Sequence, residues 1–390
     1  MRNRLAAALP AVLPAVLTVV LTGALAAAPV AVAAPPTVID LGTLPGDASS
    51  TALGLNQNGV VIGQSFTKDS SSTTVKERAV KWNPNGVITA LPTPQGDTNP
   101  HSRPVDINNS GAIAGNTYGG QVTRALRWNA NGTITTLKPL PGDTSSSAVA
   151  ITADGTVAGH SSTPSRPTRA VRWAPDGTAI ALAIPSGHTE STFRAINDNN
   201  TVVGSSRGAS GSGKVLRWDA DGTYTDITAH VNIPYLISNT GIIAGWGHTL
   251  HGVQLNPDGS TVDLGAYAEP SAIGTDGTVL VNVGNPPFWH AAKRAPDGTV
   301  TSLPSLPSDS FSSARAINDA GIMVGGSSIL RKPPSQTESH PVYWRTDGNV
   351  TALDLLPGGT SGYALLINDS GTITGTSGSA NGSRAVIWRL

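Results

Sequence analysis

The 390 residues include no cysteine, so neither disulfides nor thiolate chemistry can enter an account of this chain. Charge is scarce and balanced. The 25 Lys and Arg stand against 25 Asp and Glu, which argues against the one-signed surface that nucleic acid or anionic lipid requires. Beyond the N-terminal segment no window keeps a 3.6-residue apolar period, so helices are not expected. Catalytic signatures are also wanting. His248 and His251 are three apart but bracket a loop, not the helix turn that suits a zinc pair. Gly208-Ala209-Ser210-Gly211 lacks the strand-to-helix context of a nucleophile turn. Calcium is conceivable in the Asn-Asp clusters at 197–200 and 318–319, but no twelve-residue calcium loop surrounds them. No catalytic residue, metal or cofactor is assigned.

What the chain does contain is one pattern, repeated. The stretch from Ala148 to Leu182 shows it: AVAIT, the turn Ala153-Asp154-Gly155, TVAG, a polar loop, RAVRW, the turn Ala174-Pro175-Asp176-Gly177, then TAIAL. Short runs of Val, Ile, Thr and Trp punctuated by Asp-Gly or Asn-Gly predict four antiparallel strands, here lettered a to d. The glycine between a and b recurs at Gly59, Gly111, Gly155, Gly241, Gly277, Gly321 and Gly371, with Asn200 in its place once. Asn is the next-best residue for a positive-φ turn. Strand c ends in Trp82, Trp128, Trp173, Trp218, Trp344 and Trp388, and in Leu255 and Arg294 in the fifth and sixth units. A repeat of 36 to 52 residues built of four strands points to a β-propeller. Eight units are expected at 51–91, 103–137, 148–182, 193–227, 235–264, 271–303, 314–353 and 364–388, the last completed by 37–41.

The two ends of the chain suggest how such a ring would close. Residues 1–33 form an export signal, with Arg2 and Arg4, a Leu/Val/Ala run and the small residues Ala31-Val32-Ala33 before the cut. Residues 34–390 then read as one domain. TVIDLGTLPGD at 37–47 is a strand d without a, b or c, whereas the last unit has a, b and c without d. Pairing Val38–Leu41 beside Ala385–Trp388 would complete the sheet and hide two strand edges. The fold class expected is therefore all-β, an eight-bladed propeller sealed by its N-terminal strand.

The motifs AINDAGIMVG (316–325) and LLINDSGTITG (365–375) accompany tripeptides that open strand c: Arg78-Ala79-Val80, Arg124-Ala125-Leu126, Arg169-Ala170-Val171 and Arg384-Ala385-Val386. Lys214-Val215-Leu216, His251-Gly252-Val253, His290-Ala291-Ala292 and His340-Pro341-Val342 are divergent forms. In these the chain resembles the HAF-repeat family of extracellular repeat proteins, although an intact His-Ala-Phe occurs nowhere. The resemblance spans residues 37–390. It implies secretion and a propeller-like fold, and no activity.

Strand parity places the a–b and c–d turns at one end of the sheets and the b–c and d–a loops at the other. The first set is uniformly tight. The b–c loops vary, with long ones expected at Gln64–Glu77 and Gly326–Ser339, so binding is expected at that end. Phe66, Tyr118, Trp246, Phe288, Trp289 and Tyr363, with Tyr267 and Phe311 beside them, fall in or near those loops and are the candidate ligand contacts. The basic residues opening strand c are expected to form a structural ladder with the next blade, and alternatively a charged ring for an acidic ligand. Asp47, Asp97, Asp143 and Asp309 recur in d–a loops and could serve acid–base chemistry on glycosides. The expected function is that of a secreted, monomeric binding module for an extracellular glycan, polymer or peptide, without nucleic-acid or membrane partners. The alternatives are a carbohydrate hydrolase or lyase and a purely structural surface protein.

Overall fold

The computed structural model describes residues 36–68, 74–97, 101–120, 122–164, 166–285, 288–331, 336–379 and 382–390. The export signal expected at 1–33 lies outside them. The described residues hold 32 strands and no helix. Six sheets have four strands each and a seventh has eight, the latter being two such units joined by one parallel bridge, Glu77 opposite His101. This is an all-β array of four-stranded antiparallel sheets, consistent with a propeller.

The third unit shows why these residues take this form. Its strands are Ser145–Ile151, Val157–Thr163, Arg166–Trp173 and Ala179–Ala181, each paired with the next in sequence. Gly155 closes the first turn with φ 89°, its N–H donating to Thr152 O at 3.0 Å. Asn200, the residue replacing this glycine in the fourth unit, adopts φ 61°. Strand a bulges between Ala148 and Ala150, and that bulge pushes the Ser147 carbonyl toward strand b. A Cβ on the facing Gly159 would lie 2.0 Å from that oxygen, so only glycine can stand there.

Stacking units buries what one sheet alone leaves exposed. Trp173 is fully buried among Leu137, Leu140, Val157 and Val171, residues of the second and third units and the connection between them. Its Nε1 donates to Lys138 O at 2.7 Å. Trp128, Trp344 and Trp388 make the same bond to the connection before their own sheet. Trp82 does not: its Nε1 is buried without a partner among the described residues. The residue at the matching place is Gly42, at φ 71°.

Two chains of side-chain hydrogen bonds link neighbouring units. In the a–b turns, Asn56 Nδ2 donates to Asn108 O at 3.1 Å, Asn108 to Thr152 O at 3.0 Å, and Asn318 to Asn368 O at 3.1 Å. Each of these asparagines also accepts the N–H four residues on, at 2.9 Å. In strand a, the hydroxyls of Ser102, Ser146, Ser191 and Ser312 accept the N–H of the residue after the base in the preceding strand c, namely Ala79, Ala125, Ala170 and Ala291. Both chains run on from the last unit to the first. Asn368 Nδ2 donates to Asn56 O at 3.2 Å, and Ala385 N to Ser50 Oγ at 3.0 Å. Ile39 and Asp40 pair with Ile387 and Val386. Leu41, Leu44, Trp82, Ala385 and Ile387 share one buried cluster.

The fifth and sixth units, although they lack the tryptophan, have four strands each, Ile233–Ile237 to Thr261–Ala266 and Ala268–Ile273 to Val300–Leu303. The long b–c loops expected at Gln64–Glu77 and Gly326–Ser339 are mostly not loops. Strands Val61–Lys68 and Thr74–Trp82 pair as far as Lys68 and Thr74, and Met323–Arg331 pairs with Gln336–Trp344 to their ends. Alternating Thr, Ser, Val and Ile in these stretches continues the ladder, so length variation appears as longer hairpins.

Candidate functional site

At the end carrying the d–a connections and b–c hairpins, one constellation repeats. In the third unit the Asp143 carboxylate accepts from Ser161 Oγ at 2.6 Å and from Arg169 at 2.7 Å. Asp47 takes Ser65 and Arg78, each at 2.7 Å. Asp97 takes Thr117 at 2.5 Å and Arg124 at 3.0 Å. Asp309 takes Ser327 at 2.6 Å and His340 Nδ1 at 2.8 Å. The register explains the recurrence, because Ser65, Thr117, Ser161 and Ser327 lie directly opposite the base of strand c. The carboxylates are 0–2% exposed and the bases 27–42%. Burial alone would raise the Asp47 and Asp143 carboxyls. Hydrogen bonds from Ser65, Arg78 and Thr67, and from Ser161 and Arg169, outweigh it and leave both below the usual range.

These clamps revise two expectations. The base does not reach to the next blade as a ladder would. It binds the aspartate of the loop entering its own sheet, since that loop folds back over strands b and c near their turn. The four recurring aspartates, each in a different unit and each held by a hydroxyl and a basic side chain, form no converging acid–base pair. Four bases, Lys214, His251, His290 and Arg384, depart from the pattern. Lys214 pairs with Asp226, and His251 with Asp263 at 2.9 Å, in strand d of the same sheet, while His290 lies against Phe311 with ring centroids 5.9 Å apart.

The six candidate aromatics belong to five different units, and among the described residues no ring contact joins any two of them. Phe66 lies in a ladder between Ser49 and Glu77. Tyr118 stacks on His101 at 5.5 Å and donates its hydroxyl to Glu77; burial and that carboxylate push its pKa up to about 12. Tyr363 shares a 2.5 Å hydrogen bond with Ser339. Trp246 ends strand Ile243–Trp246 half-buried. Phe288 is 46% exposed and meets Phe311 edge-on at 5.1 Å. The Trp289 carbonyl accepts from Ser312 N at 3.0 Å.

A cavity of about 510 Å³ lies at this same end, between the fourth and fifth units. Its charged lining is Arg194, Arg207, Lys214 and Glu190. Arg194 and Arg207 are exposed and form no ion pair among the described residues. Here the sequence holds a pattern that the reading of 208–211 missed. Gly204-Ser205-Ser206-Arg207-Gly208 has the Gly-x-Ser-x-Gly spacing, and Ser206 Oγ lies 2.8 Å from His188 Nδ1. The segment is a straight strand, Val202–Gly208, and Ser206 is 2% exposed. His188 stands where Asp143 stands in the third unit, so the pair is a variant clamp and not a nucleophile on a sharp turn.

Elsewhere, the Asn-Asp cluster at 197–200 is occupied with its neighbours: Asn197 donates to Ser238 O at 2.9 Å and Asp198 accepts from Ala153 N at 2.8 Å. Among the described residues no three His, Asp or Glu side chains gather as metal ligands. His248 bonds Thr228 O and His251 bonds Asp263, so the two do not converge. Asp106, at the opposite end, has its pKa raised to about 6, chiefly by burial, with Asp198 adding and the N–H groups of Ile151 and Ile107 opposing. Both its oxygens are taken by those N–H groups.

Known proteins resemble this chain in fold alone. No family model matches it, and no curated protein does. Dipeptidyl peptidase 4 of Porphyromonas gingivalis superposes with a TM-score of 0.57 at 10% identity, covering 88% of this chain and 58% of that one. The β-propeller domain of the Trilobed protease from Pyrococcus furiosus, described as having an open velcro topology, gives 0.45 at 11%, over 88% and 94%. Virginiamycin B lyase from Staphylococcus aureus gives 0.46 at 13%, over 91% and 99%. The class that the sheets define is a propeller-like all-β repeat protein.

Proposed function

We propose that this chain is an exported member of the HAF-repeat family, a closed propeller of eight blades that binds an acidic extracellular glycan. Closure is supported by the Ile39–Ile387 pairing and by the bonds from Asn368 to Asn56 and from Ala385 to Ser50. Membership gains a physical basis from the asparagine of the AINDAG and LLINDSG motifs, which clasps one unit to the next. Export rests on the leader, Arg2 to Ala33.

The observation that carries the ligand class is the cavity between the fourth and fifth units. It presents two exposed guanidinium groups, Arg194 and Arg207, that form no ion pair among the described residues, against the single carboxylate of Glu190. Guanidinium forks match carboxylate and sulfate geometry, and exposed ones keep most of their conformational freedom until a ligand arrives. The carboxylates that a hydrolase or lyase would need are held inside the clamps, which disfavours that reading.

The test is binding of the secreted chain to polygalacturonate and to neutral dextran, with salt varied. Retention on polygalacturonate alone, weakened by salt and lost in the Arg194→Gln, Arg207→Gln double variant, is the expected result. Equal retention on dextran, or binding that survives in the double variant, would refute the assignment.

A further inference from the structure

The complete clamps define what the last unit lacks. There Gly359 stands where the other units have Asp47, Asp97, Asp143 and Asp309. The turn is unchanged: Gly359 N donates to Leu356 O at 2.8 Å, as Asp143 N does to Leu140 O at 2.9 Å. The other two members of the clamp are present. Ser377 lies directly opposite Arg384, as Ser161 lies opposite Arg169. Ser377 is 2% exposed and accepts from Leu356 N at 3.1 Å, matching the 2.9 Å bond from Leu140 N to Ser161. In the third unit the serine hydroxyl then donates to the aspartate. Among the described residues the Ser377 hydroxyl has no such acceptor, and Arg384 makes no hydrogen bond or ion pair. A cavity of about 280 Å³ opens at this point, lined by Gly359, Ser377, Arg384 and Asp40.

We propose that this cavity binds a small organic carboxylate, which supplies from solution the group that the chain itself supplies in four other units. One ligand oxygen accepts from the Ser377 hydroxyl, and the Arg384 guanidinium donates to the carboxylate in a charge-assisted bond. The chain does not fill the place at present, because a Cβ on Gly359 would lie 2.7 Å from Ser377 Oγ and 2.9 Å from Leu356 O. One neighbour competes. Asp40 is exposed, and its Oδ1 accepts from Gly42 N at 2.8 Å. In the fourth and fifth units the acid at this register, Asp226 or Asp263, pairs with the base outright. Asp40 forms no ion pair with Arg384 among the described residues, which leaves the guanidinium free for an added anion. The site is separate from the cavity between the fourth and fifth units, so neither proposal stands or falls with the other.

The experiment titrates sodium acetate into the ¹⁵N-labelled full chain against sodium chloride at equal ionic strength, following the Arg384 Nε–H signal and the backbone amides of Gly359 and Leu356. A saturable acetate response that chloride does not reproduce is expected. Ser377→Ala should weaken it about tenfold, the loss of one hydrogen bond to a charged group. Asp40→Asn should tighten it several-fold by removing the competitor. Arg384→Gln, followed through the backbone amides, should abolish it. Gly359→Asp, which puts a tethered carboxylate in the cavity, should abolish it too; should that variant fail to fold, Arg384→Gln decides. A flat titration, an equal response to chloride, or a response that survives in Arg384→Gln overturns the proposal.

Discussion

Replacing Asn368 by alanine tests whether the last unit is fastened to the first as interior units are to each other. Asn368 is 2% exposed, donates to Asn56 O at 3.2 Å and accepts from Thr372 N at 2.9 Å. Asn108, at an interior junction, is 7% exposed, donates to Thr152 O at 3.0 Å and accepts from Ala112 N at 2.9 Å. Each substitution removes the bond to the next unit and the bonds that hold its own turn, including one from Ser110 or Ser370; with buried partners left unpaired, the total is roughly 2–5 kcal/mol. For a unit spanning Pro35–Leu390, unfolding entropy near 2 cal/mol/K per residue turns this into a Tm loss of about 3–7 °C. If the ends part in solution, Asn368→Ala loses only its turn bonds, about 1–2 kcal/mol, whereas Asn108→Ala keeps its full cost. Thermal and urea unfolding of both variants beside the parent measures the ratio. A loss at Asn368 below half of that at Asn108 would refute the joined seam, and a loss under about 1 °C at both would refute the accounting itself.

Three further outcomes follow from the packing and the titrating groups. Trp173→Ala should cost about 3–5 kcal/mol, and Trp173→Phe, which chiefly strips Lys138 O of its donor, about 1–2 kcal/mol; equal Tm losses in the two would contradict the packing term. Gly159→Ala drives a methyl to within 2.0 Å of Ser147 O and should abolish soluble expression or cost more than about 3 kcal/mol, so a near-native Tm would show that the bulge relaxes freely. Asp106, at about 6, takes up its proton in the folded state before the unfolded one does. Its contribution to stability is therefore absent above that value and grows as pH falls toward 4, by up to about 3 kcal/mol. Asp47 and Asp143, held low, act in the opposite sense: their contribution is present above the ordinary carboxylate value and is lost as pH falls through their folded values. Tm should rise from pH 7.5 to about 5 and fall in stronger acid. Asp106→Asn should flatten the rise, and an unflattened profile would reject that assignment.

The strands and turns were legible because their signals are local. Val, Ile and Thr runs stop at Asp-Gly and Asn-Gly, and even Asn200 in place of a turn glycine takes the positive φ that its position demands. The partners of the strand-c bases were not legible, since spacing along the chain does not reveal that the entering loop folds back over the hairpin and brings Asp143 to Arg169. Nor could residue composition show that 64–68 pairs with 74–79 and 326–331 with 336–341 as continued strands, a matter of register. The aromatics illustrate the same limit. Their sequence positions placed them near the hairpins, but only tertiary structure distributes them over five units, with Tyr118 and Tyr363 occupied by their own neighbours. The exception at Gly359 was readable as a departure from Pro-Gly-Asp, but its meaning needed the geometry of Ser377 and Arg384.

Magnitudes separate the two ends of the sheets. An asparagine clasp is buried, and losing it is worth roughly 2–5 kcal/mol, a large share of the margin that keeps a domain folded. A clamp has a buried acid but a base that is 27–42% exposed, and solvent screening reduces the ion pair's share to about 1 kcal/mol or less. The clasp position is Asn in Asn56, Asn108, Asn197, Asn318 and Asn368 and is Thr152, Ser238 or Gly274 in the other three units, whereas the clamp position is Asp four times, His188 once and Gly359 once. Positions whose loss costs little are where the chain can exchange an internal partner for an external one without risking the fold. Both cavities lie at that end, where the complete clamp has been given up: Lys214 turns to strand d beside one, and among the described residues Arg384 is unpaired in the other.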